Sequence, residues 1–453
     1  MPPRNQAPGE AHSAHTQNAG PPVRHDLPVS SHQLSGCYTS VHHPGRPRRR
    51  RLLRSLLAAP TLIATVTALS VIAAGAGSAS AATLHGGHSP RAALIDSELN
   101  AVGMTSGGSA WAVGQYLAGS VEAALTEQWP GSWQQQPVPQ AGGPTANDIL
   151  NGVAVLSPTN AWAVGTSFPW PPYDTLIEHW NGAEWHQVAS PNPGGLSGIN
   201  RLYGVAALSA SNIWAVGAYM SGPTTSKALI VHWDGTTWKQ VPSPEPAQAT
   251  SAALNDVAVL SPTDAWAVGS YDNGTANQSL TEHWNGTAWQ IVPSPDPAGT
   301  ANWASLNGVA MLTHTNVWAA GEIQTQGVFH TFVAHWNGAT WKHVTSVDPG
   351  GLGNNAFLRS IAAVSGSRIW AVGSYNNGTL DQTLIEQWNG QAWKQVPSPS
   401  PGTGPLNNEL FGVSANSPSN AWAVGWYNVG PVNQTLILHW NGIKWTQVYS
   451  PNG

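Results

Sequence analysis

The chain has 453 residues, only 9% of them charged, with 24 tryptophans and one cysteine. Eight of its 17 Lys and Arg but only Glu10 and Asp26 of its 22 acids precede Ala82, so residues 82–453 hold 9 bases and 20 acids, a net charge of −11. That balance argues against nucleic acid or anionic lipid as a partner, and with Cys37 ahead of Ala82 the remainder has no disulfide, thiolate metal site or cysteine nucleophile.

Residues 1–45 are rich in Pro, His, Ser and Gly without a hydrophobic period, and a disordered N-terminal extension is expected there. A basic cluster (Arg46 to Arg54), an apolar run (Leu56 to Ala76) and Ala79-Ser80-Ala81 follow. These are the three parts of a signal peptide, which predicts a leader over 46–81, cleavage after Ala81 and a secreted protein. The long stretch ahead of the leader places the true start codon downstream of Met1 as an alternative. Arg49-Arg50-Arg51-Leu52-Leu53-Arg54 resembles the twin-arginine export signal, so Sec and twin-arginine export are both open. A signal-anchored form is a further alternative, since the apolar run has the length to span a bilayer, although its Thr, Ser and Pro make a poor membrane helix. The form cleaved after Ala81 has no membrane contact.

From Ala82 onward one segment repeats seven times. Trp-Ala-Val-Gly begins at Trp111, Trp162, Trp214, Trp266, Trp370 and Trp422, and Trp-Ala-Ala-Gly at Trp318, in steps of 51, 52, 52, 52, 52 and 52 residues. His-Trp-Asn-Gly-x-x-Trp keeps pace around Trp180/Trp185, Trp284/Trp289, Trp336/Trp341 and Trp440/Trp445, with Gln for His before Trp129 and Trp388, and Pro130 and Asp234 in place of Asn. The repeat units are about 97–140, 148–190, 200–243, 252–295, 304–346, 356–398 and 408–450. In the fourth copy, four short runs separated by turns read as an antiparallel meander: Leu254 to Leu260, Ala265 to Tyr271, Ser279 to Trp284 and Thr287 to Val292. Asn285-Gly286 between the last two reads as a tight hairpin in which both residues take positive φ. Seven such sheets filling 82–453 predict an all-β, seven-bladed β-propeller, since an open array would expose two unprotected ends. Tryptophan fits this reading, because 21 of the 24 fall at three fixed places per repeat, as blade-to-blade fillers.

The order of apolar strand, turn, glycine-ended strand (Val268-Gly269), loop, aromatic strand and a tryptophan early in the fourth strand (Trp289) is similar to kelch repeats, as in the central domain of galactose oxidase. Gly286-Thr287-Ala288-Trp289 also resembles the tail of the Asp-box of sialidase-like propellers, with Trp284 where an aspartate is expected. The kelch resemblance implies that first strands line a central channel, fourth strands lie outside, and the longer second-to-third loops share one face with the inter-blade links. Variable loops on a rigid frame are where binding usually resides.

Three groups are candidates. His179, His232, His283, His335 and His439 each precede a tryptophan, but they sit on separate blades, too far apart to share an ion, so packing or hydrogen-bonding roles are expected and no metal site. Trp170, Trp303 and Trp426 lie outside the repeat positions and fall on the long-loop face, where exposed aromatics suit sugar rings or a partner chain. At the start of the first strand the aligned residues are Asn100, Asn151, Tyr203, Asn255, Asn307, Arg359 and Phe411, which would ring the channel mouth. The four asparagines read as local caps, and Tyr203, Arg359 and Phe411 as a mixed polar and aromatic lining.

Catalytic sets are thin. There is no Gly-x-Ser-x-Gly, phosphate loop or His-Glu-x-x-His, and the copper chemistry that galactose oxidase implies needs a cysteine that residues 82–453 lack. A sialidase needs several converging arginines, and only Arg91, Arg201, Arg359 and Arg368 remain. The repeated acids Glu178, Glu282 and Glu386 read as structural. No catalytic residue and no cofactor are assigned. The expected function is a secreted, non-enzymatic, monomeric binding scaffold for a glycan or an extracellular or cell-surface protein. Its alternatives are a carbohydrate-active enzyme using acids at the channel mouth, and a purely structural envelope protein.

Overall fold

The computed structural model describes residues 95–168, 173–195, 198–402 and 408–451. The expected N-terminal extension and leader, and Trp170, lie outside the described residues. Seven four-stranded antiparallel blades form a ring, a β-propeller. Their strands span 97–136, 147–187, 200–241, 251–291, 304–344, 356–395 and 408–448, and every blade takes its four strands from consecutive chain. Each first strand packs against the first strands of both neighbouring blades, and that of blade 7 meets that of blade 1. Beyond the strands, a short 3-10 turn spans Gly351–Gly353, and among the described residues no helix is long and apolar enough to cross a membrane.

The second strand of each blade explains the most repeated motif. In blade 4, Ala265, Trp266, Ala267 and Val268 are all at most 1% exposed, because a sheet buried on both faces reads as a continuous apolar run. At every inter-blade interface the motif tryptophan meets two indoles of the next blade. One is tilted at 4.7–5.0 Å between centroids, and the other is edge-on at 4.8–5.8 Å. Edge-on contact sets the positive rim of one ring against the negative face of another, a favoured aromatic geometry. In blades 2 to 7 the tilted indole also donates to the turn between the first two strands of its own blade, as Trp284 Nε1 does to Pro262 O at 3.0 Å. Trp422 of blade 7 grips Trp129 and Trp133 of blade 1 in the same way, so the ring closes with no shared strand.

The histidines do structural work. His179, His232, His283, His335 and His439 lie over the motif tryptophan of their own blade at 4.1–4.7 Å. Their Nε2 atoms meet Asn160, Asn212, Asp264, Asn316 and Asn420 at 2.8–3.1 Å. Burial holds His232, His335 and His439 below the usual histidine range, and burial together with His186 lowers His179 to about 4.

The fourth hairpin differs from its expected form. Trp284 pairs with Trp289, so the loop is four residues long, and the last strand of blade 4 is only Trp289–Ile291. Gly286 alone has positive φ (92°); Asn285 contributes its side chain, accepting the amides of Thr287 (2.9 Å) and Ala288 (3.0 Å). Asparagine is used here for its acceptor rather than its tolerance of left-handed backbone.

Candidate functional site at the channel mouth

In every blade the first strand carries a β-bulge at the same place. The register skips residues 100, 151, 203, 255, 307, 359 and 411. These are the seven aligned candidates. They lie inside the first strand rather than at its start, since the strand of blade 4 begins at Ser251 and the bulge is at Asn255. A bulge adds a residue and kinks the strand, which re-aims side chains. All seven line one cavity of about 150 Å³ at the ring centre.

The bulge also accounts for the glycine that ends the six Trp-Ala-Val-Gly motifs and the one Trp-Ala-Ala-Gly. A Cβ on any of these seven glycines would lie 1.9–2.1 Å from a carbonyl oxygen of the kinked first strand, 2.1 Å from Ala253 O in the case of Gly269. The obstacle is backbone, so Gly269→Ala is expected to cost about 3 kcal/mol or more, in the range of overpacked cores. Urea unfolding checks this, with a second such substitution at Gly373 giving a similar loss.

The asparagines are pins between blades, not the local caps expected from sequence. Asn100, Asn151, Asn255 and Asn307 donate Nδ2 to the carbonyls of Leu150, Leu202, Leu306 and Leu358 of the following blade at 2.8–2.9 Å. Tyr203, Arg359 and Phe411 put other chemistry at the remaining three bulges. Tyr203 packs with Ala218 and Ala253. Arg359 Nε donates to Glu409 at 2.9 Å, its Nη1 is 3.7 Å from Glu322, and its guanidinium lies 4.7 Å from the Phe357 ring.

Sequence reasoning missed the acids around this mouth. Glu98 accepts from Asn433 (2.7 Å) and Gln115 (3.2 Å), and Gln115 in turn accepts from Asn100 at 2.7 Å. Burial, reinforced by the charges of Asp96, Glu409 and Glu122 and opposed by the Asn433 bond, raises Glu98 to about 7. Burial likewise raises Glu322, against the pull of Arg359. Asp256, half-buried in the cavity wall, is pushed up to about 7 by desolvation although it accepts the amides of Val257 and Val309. Asp256 had a visible signal: the six equivalent positions hold Ala101, Gly152, Gly204, Gly308, Ser360 and Gly412. The repeated acids lie elsewhere. Glu178, Glu282 and Glu386 are on third strands, fully buried, and not in the wall of the cavity.

Trp426 is interior to its strand, Asn420–Val429, opposite Glu409 in register and only half-exposed. Trp303 precedes the first strand of blade 5, half-buried, its ring 6.3 Å from Phe329, which stands 5.2 Å from Phe357. Both are partly buried. Among the described residues no group of three or more His, Cys, Asp or Glu is arranged to hold a metal ion.

No family model and no curated protein matches the chain. Solved structures similar to it include the extracellular domain of a hybrid two-component system of B. thetaiotaomicron (11% identity, TM-score 0.45, 73% of this chain and 37% of that one). A PL25 ulvan lyase (11%, 0.44, 69% and 83%) and an α-L-arabinanase of Penicillium chrysogenum (13%, 0.42, 67% and 96%) are also similar. The chain spans less than half the length of the first. What each of these proteins binds or cleaves is a property of that protein.

Proposed function

We propose that the protein is a secreted, non-catalytic propeller with kelch-like repeats that binds a glycan at the channel mouth. One observation carries this reading. Seven bulge side chains converge on a single cavity, four of them are asparagines engaged in inter-blade pins, and the other three are Tyr203, Arg359 and Phe411. Flat aromatic surface beside polar donors in a concavity is what a sugar ring requires. A glycan array with the purified protein, run beside a hydrolase and lyase substrate panel, tests it. Binding without turnover is expected, and Tyr203→Ala is expected to weaken it at least tenfold in protein that circular dichroism shows to be folded, with some loss of melting temperature because Tyr203 is buried. Absence of glycan binding, or full affinity in Tyr203→Ala, defeats the reading.

A second reading, a carbohydrate-active enzyme, has one observation in its favour. Glu98 and Glu409 each lie two residues before a bulge residue, outside the cavity wall itself, with Glu98 raised to about 7 and Glu409 paired with Arg359. A carboxyl raised in this way can act as a general acid, with a second carboxylate nearby as its counterpart. Turnover on the same panel that vanishes in Glu98→Gln while binding persists would select this reading over the first.

A further inference from the structure

The two arginines on first strands near the mouth are in opposite circumstances. Arg359 is held by Glu409 and flanked by Glu322, so its charge is matched by the protein itself. Arg201 is not matched: among the described residues no carboxylate pairs with it, and its Nε is buried with no acceptor. It lies two residues before Tyr203 on the first strand of blade 3, with its Cζ 5.9 Å from the centre of the Phe168 ring. A guanidinium stays charged at all ordinary pH, and its planar fork matches the two oxygens of a carboxylate or sulfate. A buried donor without an acceptor calls for a physical explanation, and a ligand oxygen supplies one.

We propose that Arg201 anchors the acidic group of a carboxylated or sulfated sugar, with the ring of that sugar lying toward Tyr203. This rests on the glycan reading above and names the ligand class. Glu98, Glu322 and Glu409 belong to blades 1, 5 and 7, none adjacent to blade 3 in the ring, and Arg359 offsets part of their charge. Asp256 of the adjacent blade 4 has its two oxygens taken by the amides of Val257 and Val309, and burial raises it toward the neutral form.

The test uses the whole protein, a uronate oligosaccharide and its carboxyl-reduced neutral counterpart, compared by calorimetry. Wild type is expected to bind the acidic sugar at least tenfold more tightly. Arg201→Gln should erase that difference while leaving affinity for the neutral sugar in place, and Arg201→Lys should keep part of it. Raising salt should narrow the gap in wild type and in Arg201→Lys and leave Arg201→Gln unchanged. Equal affinity for both sugars in wild type, preference for the neutral one, or a preference that survives in Arg201→Gln overturns the anchor but leaves glycan binding standing. Binding of neither sugar, or of an acidic peptide alone, overturns both. Circular dichroism checks each variant's fold, and should Arg201→Gln not fold, the Lys variant with the salt series decides.

Discussion

Trp422→Ala will open the ring. The other six inter-blade interfaces are also joined by the continuous chain, whereas the seam between blades 7 and 1 is held only by contacts. Trp422 lies 4.7 Å from Trp129 and 5.2 Å from Trp133. Around it, Ser450 donates to Glu127 (2.8 Å), Asn433 to Glu98 (2.7 Å) and to Asp96 (3.0 Å), and Asn416 to Thr105 O (3.0 Å). Truncating a buried tryptophan costs about 3–5 kcal/mol, a large part of the roughly 5–15 kcal/mol of a typical domain. Trp266→Ala is the control. It removes the same clasp, with Trp336 at 5.0 Å and Trp341 at 5.1 Å, from an interface that the chain also bridges. Both variants should lose stability, but only Trp422→Ala should show a larger radius of gyration by small-angle scattering and early proteolysis in blades 1 and 7. Equal behaviour of the two variants would show that the seam has other fastenings.

The sequence carries the ring and the blade order openly, because a 52-residue step with three tryptophans per copy fits closed repetition better than an open array. The bulge is invisible in it. Leu254 before the bulge and Val257 beyond it both stay buried, so the apolar pattern looks unbroken while the register shifts by one. That shift turned a presumed strand start into a cavity wall and made pins of the asparagines. The three departures from asparagine did mark the mouth, since a repeat that breaks its own rule at one position in three blades has a reason there. Glu98 and Glu409 carried no such mark: Ile149, Arg201, Ala253, Ser305 and Phe357 fill the equivalent places, and a position with six residue types in seven blades has no rule for a member to break.

Stability should fall as pH rises from about 6.5 to 8, and four buried glutamates set that slope. Glu127, Glu178, Glu282 and Glu386 lie fully buried on third strands. Desolvation raises Glu127 to about 7 and the other three to about 8. Glu127 and Glu282 accept a serine hydroxyl from the preceding blade, Ser450 and Ser243, and Glu386 accepts the amide of Val347. Glu178 has neither oxygen partnered, and the position equivalent to Ser243 in blade 1 is Val138. A carboxyl whose folded pKa lies above its unfolded value of 4.5 holds its proton longer in the native state. Its stabilisation is complete below pH 4.5 and is lost as pH climbs to the folded value, by up to ~1.4 kcal/mol per pH unit for each group. The lowered histidines act the other way, adding stability as pH rises, but only up to their unfolded value of 6.5. Above that the glutamates act unopposed. Melting temperatures at pH 6.5, 7.5 and 8.5 should therefore descend, and Glu178→Gln should flatten the descent. Val138→Ser, which offers Glu178 the hydroxyl its counterparts have, should raise the melting temperature at pH 6.5. A profile flat across this interval, or one unchanged by Glu178→Gln, would mean that these carboxyls ionise in the native ring at little cost, through water reaching the blade interfaces.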